Sequence, residues 1–153
     1  MSEMIKRTEL PDEVRSKIDN VLKAAGDAHR QVDLVQEEIL SLNAWNLLPE
    51  PKLGWEFYSN IIPRDNMIFF RDTNQFDKAL HWLDITRKSY GSTKERPDQV
   101  IEFYAATIYF EMGRYDDAFA IFDWQYKKWK TLPFKGADKK YLDFYLRKKA
   151  KRS

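Results

Sequence analysis

The sequence predicts an all-α fold: a short array of antiparallel helical hairpins, entered by a long N-terminal helix and closed by a C-terminal one. Three observations carry this. Apolar residues from Val14 to Leu42 recur at alternating steps of four and three, which is helical spacing on one face. Only 5 glycines and 6 prolines punctuate the chain, too few for a turn-rich β protein of this size. Finally, the chain matches itself when slid by 39 residues. With 153 residues it fits a single domain, 1–153, long enough to bury a core.

The first element covers 10–46. Its stripe is Val14, Ile18, Val21, Ala25, Ala28, Val32, Val35, Ile39 and Leu42. Thr8 is a candidate N-cap, and Pro11, Asp12 and Glu13 suit a first turn. The stripe allows one continuous helix, or a break at Gly26 with Asp27 capping a second helix. It also fits a coiled coil. Leu22, Leu34 and Leu40 widen the apolar face, which suits packing on the chain's own body, so a monomer is expected over a coiled-coil dimer.

Leu47–Gly54, with two prolines, ends this element. Residues 55–90 read as two helices, interrupted near Pro63–Asn66 and again near Asp72–Gln75. After the polar loop Gly91–Asp98 come helices over 99–112 and 114–130, turning at Gly113. A closing helix runs over 138–150.

The 39-residue shift places Phe70 on Tyr109, Asn74 on Gly113, Phe76 on Tyr115, Ala79 on Ala118 and Leu83 on Phe122. Asn74 and Gly113 fall at tight corners where positive φ is least costly. Phe76 and Tyr115 open the second helix of each pair, and Ala79 and Ala118 allow close helix approach. Leu83 and Phe122 continue the buried stripe. The run FYAATIYFEMGRYDDAFAIFDWQ resembles a tetratricopeptide repeat, with Tyr109, Gly113, Tyr115, Ala118 and Phe122 at that family's spacing. Residues 60–90 are similar to a degenerate copy, so 55–130 reads as two such hairpins. The departures are the 39-residue period, Thr86 and Gln125 where a small residue is usual, and Pro63 in the first copy's opening helix.

The resemblance implies protein or peptide binding on the face lined by each pair's first helix. The matching positions are Val100, Phe103, Thr107, Phe110 and Glu111 in one copy, and Ile61, Arg64, Ile68, Arg71 and Asp72 in the other. Of these, Arg64, Ile68, Arg71, Phe103, Thr107, Phe110 and Glu111 form the candidate partner-binding groove. The competing reading has Phe103 and Phe110 packed on the N-terminal helix.

Catalysis has little to draw on. There are 2 histidines and no cysteine, and no phosphate-cradling glycine loop. His29, Asp33 and Glu37 would share one helix face, read as solvated and not as a metal site, and His81 beside Trp82 reads as structural. No metal or cofactor is expected. The carboxylates of Asp116–Asp117 and of Glu37–Glu38 diverge on their helices. The chain is read as a non-enzyme.

Charge is uneven. Residues 1–76 carry 9 Lys/Arg against 13 Asp/Glu, a net −4, and residues 77–153 carry 17 against 11, a net +6. The basic, aromatic tail (WQYKKWK, then KKYLDFYLRKKAKR) fits nucleic acid, with lysines on phosphates and rings on bases. It fits better a helix that buries Tyr141, Leu142, Phe144 and Tyr145 and leaves its lysines in water. No apolar run spans a bilayer and Met1–Glu13 carries no secretory pattern, so the cytoplasm is the expected compartment. The stretch LPFKGADKKYLDFYL is similar to the ends of small bacterial immunity proteins, which bind and neutralise a cognate toxin domain. That resemblance implies a toxin inhibitor; a peptide-reading adaptor or chaperone is the alternative. An inhibitor of a nuclease is expected to be acidic, which only the N-terminal half offers.

Overall fold

A computed structural model describes residues 6–152. Among them are seven α-helices: α1 Asp12–Arg30, α2 Leu34–Leu47, α3 Tyr58–Asp72, α4 Phe76–Tyr90, α5 Gln99–Glu111, α6 Tyr115–Trp129 and α7 Lys139–Arg152. A 3-10 turn, Leu132–Phe134, links α6 to α7. The described residues contain no strand, only an isolated bridge between Thr8 and Trp55. The stretch read for targeting starts at Met1, so its first five residues lie outside those described. No described helix is long and apolar enough to cross a membrane.

The helices end in a shared way. At the C-terminus of α5, Arg114 N–H donates to the Tyr109 carbonyl and Gly113 N–H to that of Phe110. At the end of α3, Gln75 and Asn74 donate to Phe70 and Arg71 in the same pattern. Such a closure needs one left-handed residue, and Asn74 (φ 59) and Gly113 (φ 84) supply it, at the corners the repeat predicts. Gly91 closes α4 likewise.

The same closure decides between the two readings of residues 10–46: there are two helices, and the break between them is not at Gly26. That glycine lies inside α1, where its cost is only ~1 kcal/mol. The chain turns instead at Gln31–Asp33, with Val32 in the left-handed region (φ 56) and its N–H on the His29 carbonyl. Asp33 then caps α2, its side chain accepting from Gln36 N–H at 3.1 Å. Thr8 is not the cap of α1 either, because Pro11 holds that place. The Thr8 backbone pairs with Gly54 and Glu56.

By compactness the chain divides into Met1–Phe69 and Phe70–Ser153. In the first unit, α1 and α2 pack as a hairpin. Ile18, Ala44, Leu48, Tyr58 and Ile62 are buried together, with Val14, Val21 and Trp45 against them. Each such large side chain contributes ~1.5–3 kcal/mol. The α2 terminus has no base in its last turn. Lys52 Nζ supplies one, donating to the carbonyls of Trp45 (2.8 Å) and Leu48 (2.5 Å). Pro63 does not interrupt α3. It removes one bond to the Ser59 carbonyl, and burial of its neighbours Ile62 and Met67 outweighs that loss.

In the second unit, α5 and α6 pack as a hairpin around Ala106 and Ala118, both fully buried. Phe103, Phe122, Phe134, Tyr141 and Tyr145 fill the core they share with the 3-10 turn and α7. The rings meet edge-on or tilted, as Phe103 does with Phe134 at 5.2 Å and 87°. The polar departures from the repeat pattern are satisfied internally. Thr86 Oγ1 donates to the Trp82 carbonyl at 2.6 Å. Gln125 Nε2 donates to the Gln99 carbonyl, while its Oε1 accepts from Gln99 Nε2, both at 2.9 Å.

Candidate functional site

Asp98 starts α5 by accepting from Ile101 N–H at 3.0 Å. The helix then buries Ile101, Ala105 and Ile108. On another side it aligns Thr107 and Glu111, four residues apart. Arg71, at the end of α3, donates to Thr107 Oγ1 at 3.0 Å, and its guanidinium lies 6.0 Å from the Tyr104 ring. Glu111 accepts from Tyr141 Oη (3.0 Å) and Lys140 Nζ (2.5 Å). A polar row therefore runs across α3, α5 and α7. Burial pushes the Tyr141 phenol well above its ordinary range; Arg71 opposes this and Glu111 adds to it.

Beside the row is a recess of about 340 Å³, walled by Phe110, Tyr115 and Phe144 and rimmed by Lys140, Asp143 and Arg147. The α7 residues 140, 144 and 147 fall on one helical face. Phe110 sits 5.4 Å from Tyr115 and 5.1 Å from Phe144, both edge-on. Tyr115 is the first residue of α6 and packs back over the corner, yet it stays 49% exposed, so its ring remains open to a ligand. Lys140 is bonded to Glu111. Arg147 is exposed and has no hydrogen-bond or ion-pair partner among the described residues.

The groove residues divide accordingly. Arg71, Thr107, Phe110 and Glu111 come together in the second unit, where Thr107 is buried beneath Arg71. Phe103 is buried among Phe122 and Phe134 and presents nothing to an open groove. Phe110 meets Tyr141 and Phe144, so the closing helix covers the first-helix face. Arg64 and Ile68 share with Arg71 one face of α3 and are both half-buried. The repeat positions Phe70, Ala79, Leu83, Ala118 and Phe122 are buried, and Phe76 and Tyr109 half-buried. Sequence reasoning did not single out Phe144, Lys140 and Arg147 as a face; their 140–144–147 spacing is the signal that could have done so.

The basic tail divides: residues 124–130 form the end of α6 and its C-terminal cap, and the second part folds as α7 with Tyr141 and Tyr145 inside, so those two rings cannot stack on bases. Its cations are largely engaged. Lys148 (2.5 Å) and Arg152 (3.4 Å) reach Asp116, and Lys149 lies 4.7 Å from the Tyr126 ring. Lys148 holds the Asp116 carboxyl below the ordinary carboxylate range. His29 meets both Glu37 oxygens at 3.1 Å across the α1–α2 corner, while Asp33 is turned to capping. The three therefore do not share one helix, and among the described residues no group of His, Cys, Asp and Glu is placed to hold a metal. No protein-family model, curated protein or solved structure matches the chain.

Proposed function

We propose that this chain is a non-catalytic binding module for a protein partner, engaged through the α5–α6–α7 recess. The observation that carries the reading is Arg147. It is an exposed guanidinium, unpaired among the described residues, beside three aromatic walls in a recess of about 340 Å³. Arginine and tyrosine at the edge of an apolar pocket are the residue types that dominate protein interfaces. A partner side chain would enter between Phe110, Tyr115 and Phe144, and a partner carboxylate would pair with Arg147. Burial of Tyr141 and Tyr145, and the internal pairing of Lys148 and Arg152, favour this over nucleic acid.

The finer form of the reading is a stoichiometric inhibitor of the immunity-protein type, neutralising a toxin domain; a peptide-reading adaptor is the alternative. Affinity capture on the tagged full chain, after nuclease treatment, tests the module. One protein held at equal stoichiometry by the wild type, and lost with Arg147→Glu and Tyr115→Ala, supports it. Several proteins sharing a short segment would indicate the adaptor. Retention unchanged by both substitutions, or dependent on added nucleic acid, would overturn the recess as the site.

A further inference from the structure

The α1–α2 corner leaves an apolar strip uncovered. Val32 is 74% exposed, Leu34 48%, Val35 74% and Ile39 55%. Val35 and Ile39 stand four residues apart on one face of α2. The other side of α2 already packs on α1 through Ala44. A helix that is apolar on both sides is built to be covered on both.

Val32 sharpens the point. It holds the left-handed position that asparagine or glycine holds at the corners Asn74, Gly91 and Gly113. For a β-branched residue that backbone is strained, and an exposed side chain gains nothing from the fold in return. Strain of this kind concentrates at functional sites.

The charge around the strip selects what covers it. Between Arg30 and Lys52 the chain has no lysine or arginine and four carboxylates, Asp33, Glu37, Glu38 and Glu50. The nearest cation in sequence, Arg30, is paired with Asp27, and His29 with Glu37. A second copy would bring carboxylates to carboxylates, which repels. We infer that the Val32–Val35–Ile39 strip is a docking surface for a basic amphipathic segment of a protein partner, aliphatic side chains on the strip and Lys or Arg toward the acidic stretch at Asp33. This surface is separate from the Arg147 recess and does not depend on it.

The test uses the full chain with methyl-labelled Val, Leu and Ile and two synthetic helices sharing one leucine face, the polar face lysine in one and glutamate in the other. The lysine helix is expected to shift the Val32, Val35 and Ile39 signals and to bind at least tenfold more tightly than the glutamate helix. Ile39→Asp is expected to weaken it about tenfold. Val35→Ala and Val32→Gly, which keep the fold, should weaken it several-fold, while Arg147→Glu leaves it unchanged. Equal binding of the two helices, no binding, or signals shifting elsewhere would overturn the inference. So would a concentration-dependent dimer abolished by Ile39→Asp, since a second copy would then cover the strip.

Discussion

Val32 and Gly113 occupy equivalent places at two helix ends, and their side chains make opposite predictions. A non-glycine residue in the left-handed region costs ~1–2 kcal/mol, set against ~0.5–1 kcal/mol of extra chain entropy for glycine. Val32→Gly is therefore expected to stabilise the protein by ~0.5–1 kcal/mol, read as a higher urea midpoint at unchanged slope. A lower midpoint would mean that the Val32 side chain is held by the fold after all. Gly113→Ala meets no atom within 4 Å, so its cost is backbone strain alone, ~1 kcal/mol of destabilisation in the same assay. The Gly113 corner was legible because glycine announces it. The Val32 corner was not, since a valine on an unbroken apolar stripe reads as helix and nothing local marks a turn.

Helices α4 and α5 are joined by a polar tie. Arg87 Nε and Nη2 donate to the two oxygens of Glu102 at 3.0 and 2.7 Å, and Ser92 Oγ donates to Glu102 Oε2 at 2.7 Å. Ser92 Oγ in turn accepts from Asp98 N–H at 2.8 Å. Burial acts to lower the Arg87 pKa, but Glu102 and Tyr109 together outweigh it and hold the pKa above its ordinary value. Glu102→Gln leaves this partly buried guanidinium facing a neutral group and is expected to cost ~2 kcal/mol by chemical denaturation. A loss under ~0.5 kcal/mol, the range of an exposed pair, would show that water replaces the carboxylate. At this scale α4 to α7 matched their sequence reading to within a residue or two, because a corner residue, a cap or a polar loop bounded each. The continuity of α3 through Pro63 was hidden, because a proline's local cost is visible in sequence and the burial that offsets it is not. The recess was half legible: Phe110 came from the repeat register, whereas Arg147 lies beyond the repeat and looked like one base among many in the tail.

Both units bury tyrosine against a carboxylate. Tyr58 donates to Asp19 at 2.6 Å in the first, and Tyr141 and Tyr145 donate to Glu111 and Asp123 in the second. Burial first, then the Asp19 bond, pushes Tyr58 up to about 12; burial and Asp123 push Tyr145 in the same direction. An unfolded tyrosine ionises near pH ~10. Above that pH the unfolded chain gives up protons the folded one keeps, so stability is full below pH ~10 and falls as pH climbs toward the folded values. Denaturant melts at rising pH should show this decline, and Tyr58→Phe should flatten part of it. A stability that stays level up to pH ~12 would sink the assignment. Which carboxylate each phenol would find was beyond sequence reading, since the Tyr58–Asp19 and Tyr145–Asp123 pairs join different helices.

The closures at Asn74 and Gly113 have one more consequence. The chain leaves α3 and α5 through the same two backbone bonds and the same hand of φ, 39 residues apart. A segment cut after Asn74 and after Gly113 thus begins and ends in matching backbone states. Tandem duplication of that segment would splice like to like at its junction, with no new linker to invent. Lengthening by a whole 39-residue unit is the indel this architecture tolerates, and shortening the Ser92–Asp98 loop, which holds Glu102, is the one it does not.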